Sequence, residues 1–448
     1  MKILTFFACF ETLASSLTCR QLAIIAEAML TMTGRITMLS LSRWTGRGGS
    51  YRSINRFFAT RMCWTQLLVK FFETHLLNRT AEYILAGDET VISKAGRETY
   101  GLDRFFSGLC GQPINGLSFF VLSLINVAER KSYPLAVKQI IRSEAEKAAL
   151  REKKASRARK SKSKNGRLRG RPKGSRNKVR TKLELSPELL RLNALVAGLL
   201  KLIRVFVRIK YLALDGHFGH NQAVLMAREN NLHLISKLRK DAALFEKDES
   251  EYRGRGARKK YGPKLDYARL PLKYRKTTER DKEFLTTYYQ GIFLSKSFAS
   301  PLNVLIIEKI NLRTDKRGQA ILFSSETELE WGQLLRYYSL RFQIEFNFRD
   351  AKQHFGLEDF MQRSEVGIEN AANLSFLMIN LSAKLLKQSA ERTVGINDLK
   401  SQFRGIKYAL ETIKLIEPKA ELILIEKVKQ AISRIGCIHR QNFSNSSA

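Results

Sequence analysis

Asp88 and Asp215 each stand at the end of an apolar run that reads as a buried strand, about 130 positions apart. Residues 83–91 run Tyr-Ile-Leu-Ala-Gly-Asp-Glu-Thr-Val, and residues 211–215 run Tyr-Leu-Ala-Leu-Asp. A third acid comes from a helical stretch in which Tyr338, Arg341, Glu345 and Lys352 follow the spacing Y-x2-R-x3-E-x6-K. At about 100° per residue these four fall within roughly 60° of one helix. Such a set suits the cutting of a phosphodiester. That ester is anionic and resists attack, and two divalent metals about 3.5–4 Å apart can activate the attacking oxygen and stabilise the leaving one. Mg²⁺ is hard and takes oxygen ligands, typically a few carboxylates with water and substrate phosphate. Arg341 would neutralise a phosphate by bidentate contact and Lys352 as a point charge. Tyr338 suits either a phosphate hydrogen bond or holding its helix against the sheet.

Each residue also has a plainer reading. A lone Asp at a strand end is more often a turn cap. Arg341 and Glu345 form an ordinary i,i+4 pair, although that leaves the strand acids unexplained. Asp350 competes with Glu345 but lies about 140° around the helix from it. His217 and His220 form an H-x-x-H pair beside Asp215. No Glu lies between them and the pair follows a strand, so a zinc site is the weaker reading.

The elements that must position these groups are legible in outline. Residues 1–80 read as a helical DNA-binding domain. Apolar spacing over 20–32 predicts one helix, and the turn Thr45-Gly46-Arg47-Gly48-Gly49 leads to another over 50–58, with Ser50 as N-cap. Arg52 and Arg56 on that second helix are candidate DNA contacts of a helix-turn-helix-like pattern; a small helical bundle is the alternative. A mixed-sheet core is expected over 81–238, with strands at 83–91, 117–127 and 132–140 as an antiparallel meander. It is interrupted by a basic loop, 147–182, that is expected to stay unfolded. Within the loop, Arg169-Gly170-Arg171-Pro172-Lys173 looks like an AT-hook. Its Arg169, Arg171 and Lys173 would enter an A·T minor groove or grip phosphates without sequence preference. Ser186 and Pro187 start a helix running to about 207, and strand 233–238 follows. Residues 239–330 read as a β-rich insertion with runs at 284–289, 303–310 and 320–323. Core helices are expected over 331–390, beginning with one long rod from about 330 to 355 that has Leu334, Tyr337, Phe342 and Phe346 to bury. Segment 370–386 reads as core more readily than as a dimer face, and 391–448 as a helical region with a possible dimer role.

Composition narrows the partners. Lys and Arg number 78 against 42 acids, a net charge of +36, which points to nucleic acid rather than to a membrane surface. Cys9, Cys19, Cys63, Cys110 and Cys437 are scattered without a C-x-x-C pair, so neither disulfides nor a zinc knuckle is suggested. The opening Met1–Phe10 run faintly imitates a signal peptide, but Glu11 cuts it short and no small-residue cleavage site follows. A cytoplasmic, nucleoid-associated protein is the expectation.

On the residues just quoted, the chain resembles insertion-sequence transposases of the DDE superfamily marked by the Y-x2-R-x3-E-x6-K signature, which Tyr338, Arg341, Glu345 and Lys352 match. The order strand acid, strand acid, β insertion, helix Glu is also theirs, and the likeness covers about residues 80–360. The resemblance implies an α/β, RNase H-like mixed-sheet core with helical N- and C-terminal regions. It implies Mg²⁺ or Mn²⁺ held by Asp88, Asp215 and Glu345, cleavage at terminal inverted repeats of double-stranded DNA, strand transfer to target DNA, and a homodimer in the synaptic complex. Two departures stand out: Phe342 where relatives often carry Trp, and Glu89 where they often have a second Asp, which leaves a metal-shell role open for Glu89. Another RNase H-like nuclease or a catalytically inactive DNA-binding relative are the rival expectations.

Overall fold

The structure is a computed structural model that describes residues 3–46, 48–162, 180–181, 184–251, 254, 258–388 and 395–413. The first 80 residues are helical as predicted: α1 (Leu4–Phe7), α2 (Ser16–Thr31), α3 (Met38–Trp44), α4 (Tyr51–Ala59) and α5 (Trp64–His75). Ser15, Thr37 and Ser50 each accept a bond from the N–H three residues on, so α2, α3 and α4 start at side-chain caps. The apolar opening run turns inward. Phe7 and Phe10 stack 5.4 Å apart and both meet Phe71 of α5.

Strands β1 (Tyr83–Ser93), β2 (Asp103–Ser107), β3 (Gln112–Asn126) and β4 (Lys131–Gln139) follow. β1 pairs antiparallel with β3 from Tyr83↔Asn126 to Ser93↔Gly116, and β3 carries β2 and β4 along its other edge. The predicted meander is there. β2 is an addition, a five-residue arm burying only Phe105 and Ser107, too short an apolar signal to read.

The first part of the basic tract is helical, contrary to expectation, as α6 (Glu144–Lys162). Ala, Lys, Arg and Glu are strong helix formers, and Glu144 and Glu146 place negative charge at the helix's positive end. Glu146 also accepts both Nη groups of Arg191 at 2.9 Å, tying α6 to α7 (Pro187–Ile203). Arg169, Arg171 and Lys173 lie outside the described residues.

β5 (Tyr211–Ala213), α8 (Asn221–Glu229) and β6 (His233–Leu238) supply the parallel part. β5 runs parallel to β1 on one side and to β6 on the other, with helices in the crossovers as parallel strands require. The β-rich insertion comprises β7 (Leu244–Lys247), β8 (Tyr261–Lys264), β9 (Arg275–Arg280), β10 (Phe284–Ser295), β11 (Leu302–Asn311) and β12 (Arg317–Ser324). It extends the central sheet, because β12 pairs with β6 (Phe323↔Ser236). One twelve-stranded mixed sheet results, in the order β2-β3-β1-β5-β6-β12-β11-β10-β7-β8, with β4 beside β3 and β9 beside β10. The fold is thus the expected α/β class, a mixed sheet flanked by helices.

The chain continues through α9 (Trp331–Leu340), α10 (Gln343–His354), α11 (Glu365–Gln388) and α12 (Ile396–Ile413). α11 is a buried spine: Phe376, Leu377 and Met378 are fully buried, and the helix packs on α4, α5, α10 and β4. This segment is core, as expected. Asn370 on α11 accepts from Trp64 Nε1 at 2.7 Å and donates to the Phe58 and Thr60 carbonyls at 2.8 Å. These buried polar groups satisfy one another and fasten the N-terminal helices to the layer that covers the sheet. Among the described residues no helix is long and apolar enough to cross a membrane, and Cys9, Cys19, Cys63 and Cys110 are free thiols.

Candidate active site

The two aspartates are set by strand register. Leu85 pairs with Leu212 and Ala86 with Ala213 across parallel β1 and β5; two residues further along each strand's path stand Asp88 and Asp215. Asp88 lies within β1, near enough to Asp215 that the Asp215 charge acts on it. Asp215 follows β5 by two residues. Its Oδ1 accepts from His217 N at 3.2 Å and caps a single 3-10 turn, Gly216–Phe218. Its carbonyl accepts from Ser236 Oγ at 2.6 Å. Gly219 closes that turn against β6: a Cβ there would sit 2.1 Å from the Lys237 carbonyl oxygen.

The helix carrying Glu345 is not the single rod expected over 330–355. It splits into α9 and α10 at Arg341–Phe342. Arg341 N and Phe342 N reach back three residues, to the Tyr338 and Ser339 carbonyls at 3.2 Å, and Glu345 N does the same to Phe342 at 3.0 Å. This is the tighter 3-10 pattern, and it distributes the four signature residues over two helices and their joint. α9 is fixed by Tyr337, whose hydroxyl donates to Glu82 and whose ring lies 5.1 Å from Tyr211. Arg336 adds a bond to the Val127 carbonyl at 2.9 Å. α10 is fixed by Asn347 donating to Ser132 Oγ at 2.8 Å. Leu334 and Tyr337 are buried as expected. Phe342 and Phe346 are not, being 49 % and 37 % exposed; they pack edge-to-face on each other at 5.4 Å, with the Arg349 guanidinium 4.9 Å from the Phe346 ring.

Arg341 is the hub of the site. Its Nη1 donates to Asp88 Oδ2 in a close ion pair, and its Nη2 lies 3.6 Å from Glu345 Oε1. The guanidinium therefore bridges the first acid and the last, and its own Nε is buried without a partner. Asp88 Oδ1 accepts from Glu89 N at 2.8 Å. Burial pushes the Asp88 carboxyl up, outweighing the pull of Arg341 and the Glu89 N–H, and the nearby Asp215 charge adds to the rise. Glu345 is likewise raised by burial against Arg341, with Asp88 contributing. Tyr338 is half-buried beside this group. Burial raises its phenol, Arg341 opposes, and Asp215 and Asp88 both add to the rise.

The remaining predicted residues go elsewhere. Lys352 Nζ donates to the Val91 carbonyl at 2.9 Å and pairs with Glu358 at 3.1 Å, with 14 % of its side chain exposed. It braces α10 against β1, a role the spacing did not reveal. Arg52 and Arg56 are exposed on α4, whose other face buries Ile54, Phe57 and Phe58. Glu89, one residue from Asp88, takes the hydroxyl of Ser118 on β3 and lines a groove of about 940 Å³ between α6, α7 and the sheet. His217 pairs with Glu188 at 3.2 Å in the same groove. That ion pair raises His217, whereas burial lowers His220.

Among the described residues no group of three His, Cys, Asp or Glu side chains stands ready to hold a metal ion. Between Asp88 and Glu345 lies the Arg341 guanidinium. The donor set still fits a hard divalent cation. It is all oxygen, and the fold already supplies a stand-in positive charge between Asp88 and Glu345 in the Arg341 guanidinium.

Comparison with known proteins gives the family. The chain matches the family described as DDE superfamily endonuclease over residues 5–290, and it belongs to that family. The matched span includes Asp88 and Asp215; Glu345 lies beyond it. A solved structure, the piggyBac transposase synaptic complex with hairpin DNA, is similar at a TM-score of 0.40 and 12% identity, over 96% of this chain and 85% of that one. No curated protein matches the chain.

Proposed function

We propose that this DDE endonuclease is a DNA transposase of the Y-x2-R-x3-E-x6-K group, using Mg²⁺ or Mn²⁺ to cleave double-stranded DNA at terminal inverted repeats and join the freed end to target DNA. The observation that supports the reading is that Asp88 and Asp215 each follow the paired Ala86 and Ala213 of parallel β1 and β5 by two residues, and that Arg341 bridges Asp88 to Glu345. Endonucleases of this superfamily generally use divalent metal. Asp88, Asp215 and Glu345 would hold it, and a cation there neutralises the phosphate and activates the attacking oxygen. Arg341, with its planar fork of donors, binds non-bridging phosphate oxygens. Tyr338 orients that guanidinium and shields it from water. Arg52 and Arg56 on the exposed face of α4 and the Arg169, Arg171 and Lys173 tract grip DNA flanking the cut. The net charge of +36 draws the duplex in. A homodimer pairs the two element ends, in a cytoplasmic, nucleoid-associated setting.

A strand-transfer assay in Mg²⁺ with wild type and Glu345→Gln tests this. A transposase joins donor ends to target, and Glu345→Gln abolishes joining while still binding DNA. Cleavage without joining would mark a plain nuclease, and binding alone a non-catalytic relative.

A further inference from the structure

We infer that Arg341 is a substrate-released occupant of the metal site: pairing of Arg341 with Asp88 and occupation of the site by a divalent cation exclude each other, and a DNA phosphate frees the site by taking Arg341 away. The inference rests on the proposed metal-dependent function and adds an order of assembly to it.

The contacts carry it. Both Asp88 oxygens are engaged, Oδ1 by the Glu89 N–H at 2.8 Å and Oδ2 by Arg341 Nη1. A cation bound to Oδ2 would need an oxygen contact of about 2.1 Å, in the space the guanidinium fills and against its like charge. Glu345 is turned to the same guanidinium through Nη2. One side chain thus engages two of the three acids. The block is also incomplete as an interaction. The Arg341 side chain is only 13 % exposed, yet its Nε–H has no acceptor, and a buried donor left unpaired is costly. A phosphate offers that fork several oxygens at once, including one for Nε. The position of Arg341 in the chain suits a change of partner. It sits at the joint of α9 and α10, where the backbone bonds are of the three-residue kind, a pattern often found at hinges. α9 and α10 are each pinned on their own, at Glu82 and at Ser132, on either side of that joint. Once Arg341 leaves, Asp88 and Glu345 lose their shared counter-charge, and Asp215 already acts on Asp88 as a like charge. The enzyme would then acquire its metal only with DNA in place, which prevents idle hydrolysis.

The test is Mn²⁺ binding to the full-length chain, read from loss of the free-ion EPR signal, with Asp88→Asn under the same conditions as the blank. Wild type without DNA should bind weakly, and Arg341→Gln about tenfold more tightly. Adding a short duplex of element-end sequence should raise the wild-type affinity by a similar factor and that of Arg341→Gln much less. By linkage, Mn²⁺ should tighten DNA binding by wild type to the same extent. Should Arg341→Gln not fold, the wild-type linkage decides alone. Equal Mn²⁺ affinity in wild type and Arg341→Gln, or no effect of DNA on wild type, overturns the exclusion and leaves the metal-dependent function standing. Absence of Mn²⁺ binding in every protein, with and without DNA, removes that function and the exclusion with it.

Discussion

Asp88 and Glu89 are consecutive carboxylates on β1, and their surroundings have almost nothing in common. Asp88 faces α10, shares a guanidinium with Glu345 and stands beside Asp215. Glu89 faces the groove under α6 and α7, where Ser118 donates to it and the Glu188–His217 pair lies nearby. The two-residue period of a strand separates the pair. What the comparison teaches is that a strand delivers one carboxylate per face: Asp88 goes to Arg341, and Glu89 to Ser118 and the groove.

The sharpest way to break this contrast is to neutralise each carboxylate in turn. Asp88→Asn should reduce DNA cleavage and joining below detection, while Glu89→Gln should keep most of both. Equal loss in the two variants would place Glu89 in the chemistry. The next largest effect is expected at the Asp215 turn. Gly219→Ala forces a methyl group to within 2.1 Å of a backbone oxygen, and should cost about 1–3 kcal/mol in denaturant unfolding, with activity falling because Asp215 moves. An unchanged midpoint would mean the turn can yield.

These contrasts bear on what the amino-acid order could reveal. Tyr83 to Asp88 and Tyr211 to Asp215 are legible because buried strands must be apolar, and a carboxylate ending such a run is conspicuous. β11 is legible for the same reason. β9 is not: its Arg-Lys-Thr-Thr-Glu-Arg is almost wholly exposed and carries no apolar period. The joint at Arg341–Phe342 is hidden because neither Pro nor Gly marks it, so the stretch reads as one straight rod with Phe342 and Phe346 in the core. Helix α6 is hidden by its charge, which outweighs its alanines as a sequence signal. The Arg341–Asp88 and Tyr337–Glu82 bonds join residues 253 and 255 positions apart, and no local pattern encodes them. Gly219 offers a signal, a glycine closing the run Asp215-Gly-His-Phe-Gly, but its need depends on the approach of β6.

Smaller effects sharpen the contrast between the site and its periphery. Replacing Arg169, Arg171 and Lys173 together with Ala should leave cleavage chemistry intact and weaken DNA binding. The slope of log affinity against log salt should fall by about 0.9 for each phosphate that is no longer neutralised; an unaltered slope would detach the tract from DNA. The smallest effect belongs to the Glu188–His217 pair. His217 is held above its ordinary value of about 6.5, so its contribution is complete below that pH and lost as pH rises through the raised value. Glu188 is held below about 4.3, so its contribution is present above that pH and lost as pH falls through the lowered value. His217→Gln should therefore be less stable than wild type by about 1 kcal/mol or less, mainly between those limits, and should match it in alkaline buffer. A stability difference that does not vary with pH would rule the pair out as its source.

The claim on which the rest depends is that Asp88, Asp215 and Glu345 together form one divalent-metal site when DNA is bound. Iron-mediated hydroxyl-radical cleavage of the protein–DNA complex measures this directly, because Fe²⁺ in the site cuts the backbone beside its ligands. Cuts clustered next to Asp88, Asp215 and Glu345, and absent from the Asp88→Asn complex, are the predicted result. Cuts at only one of the three, or a pattern unchanged by Asp88→Asn, would contradict it.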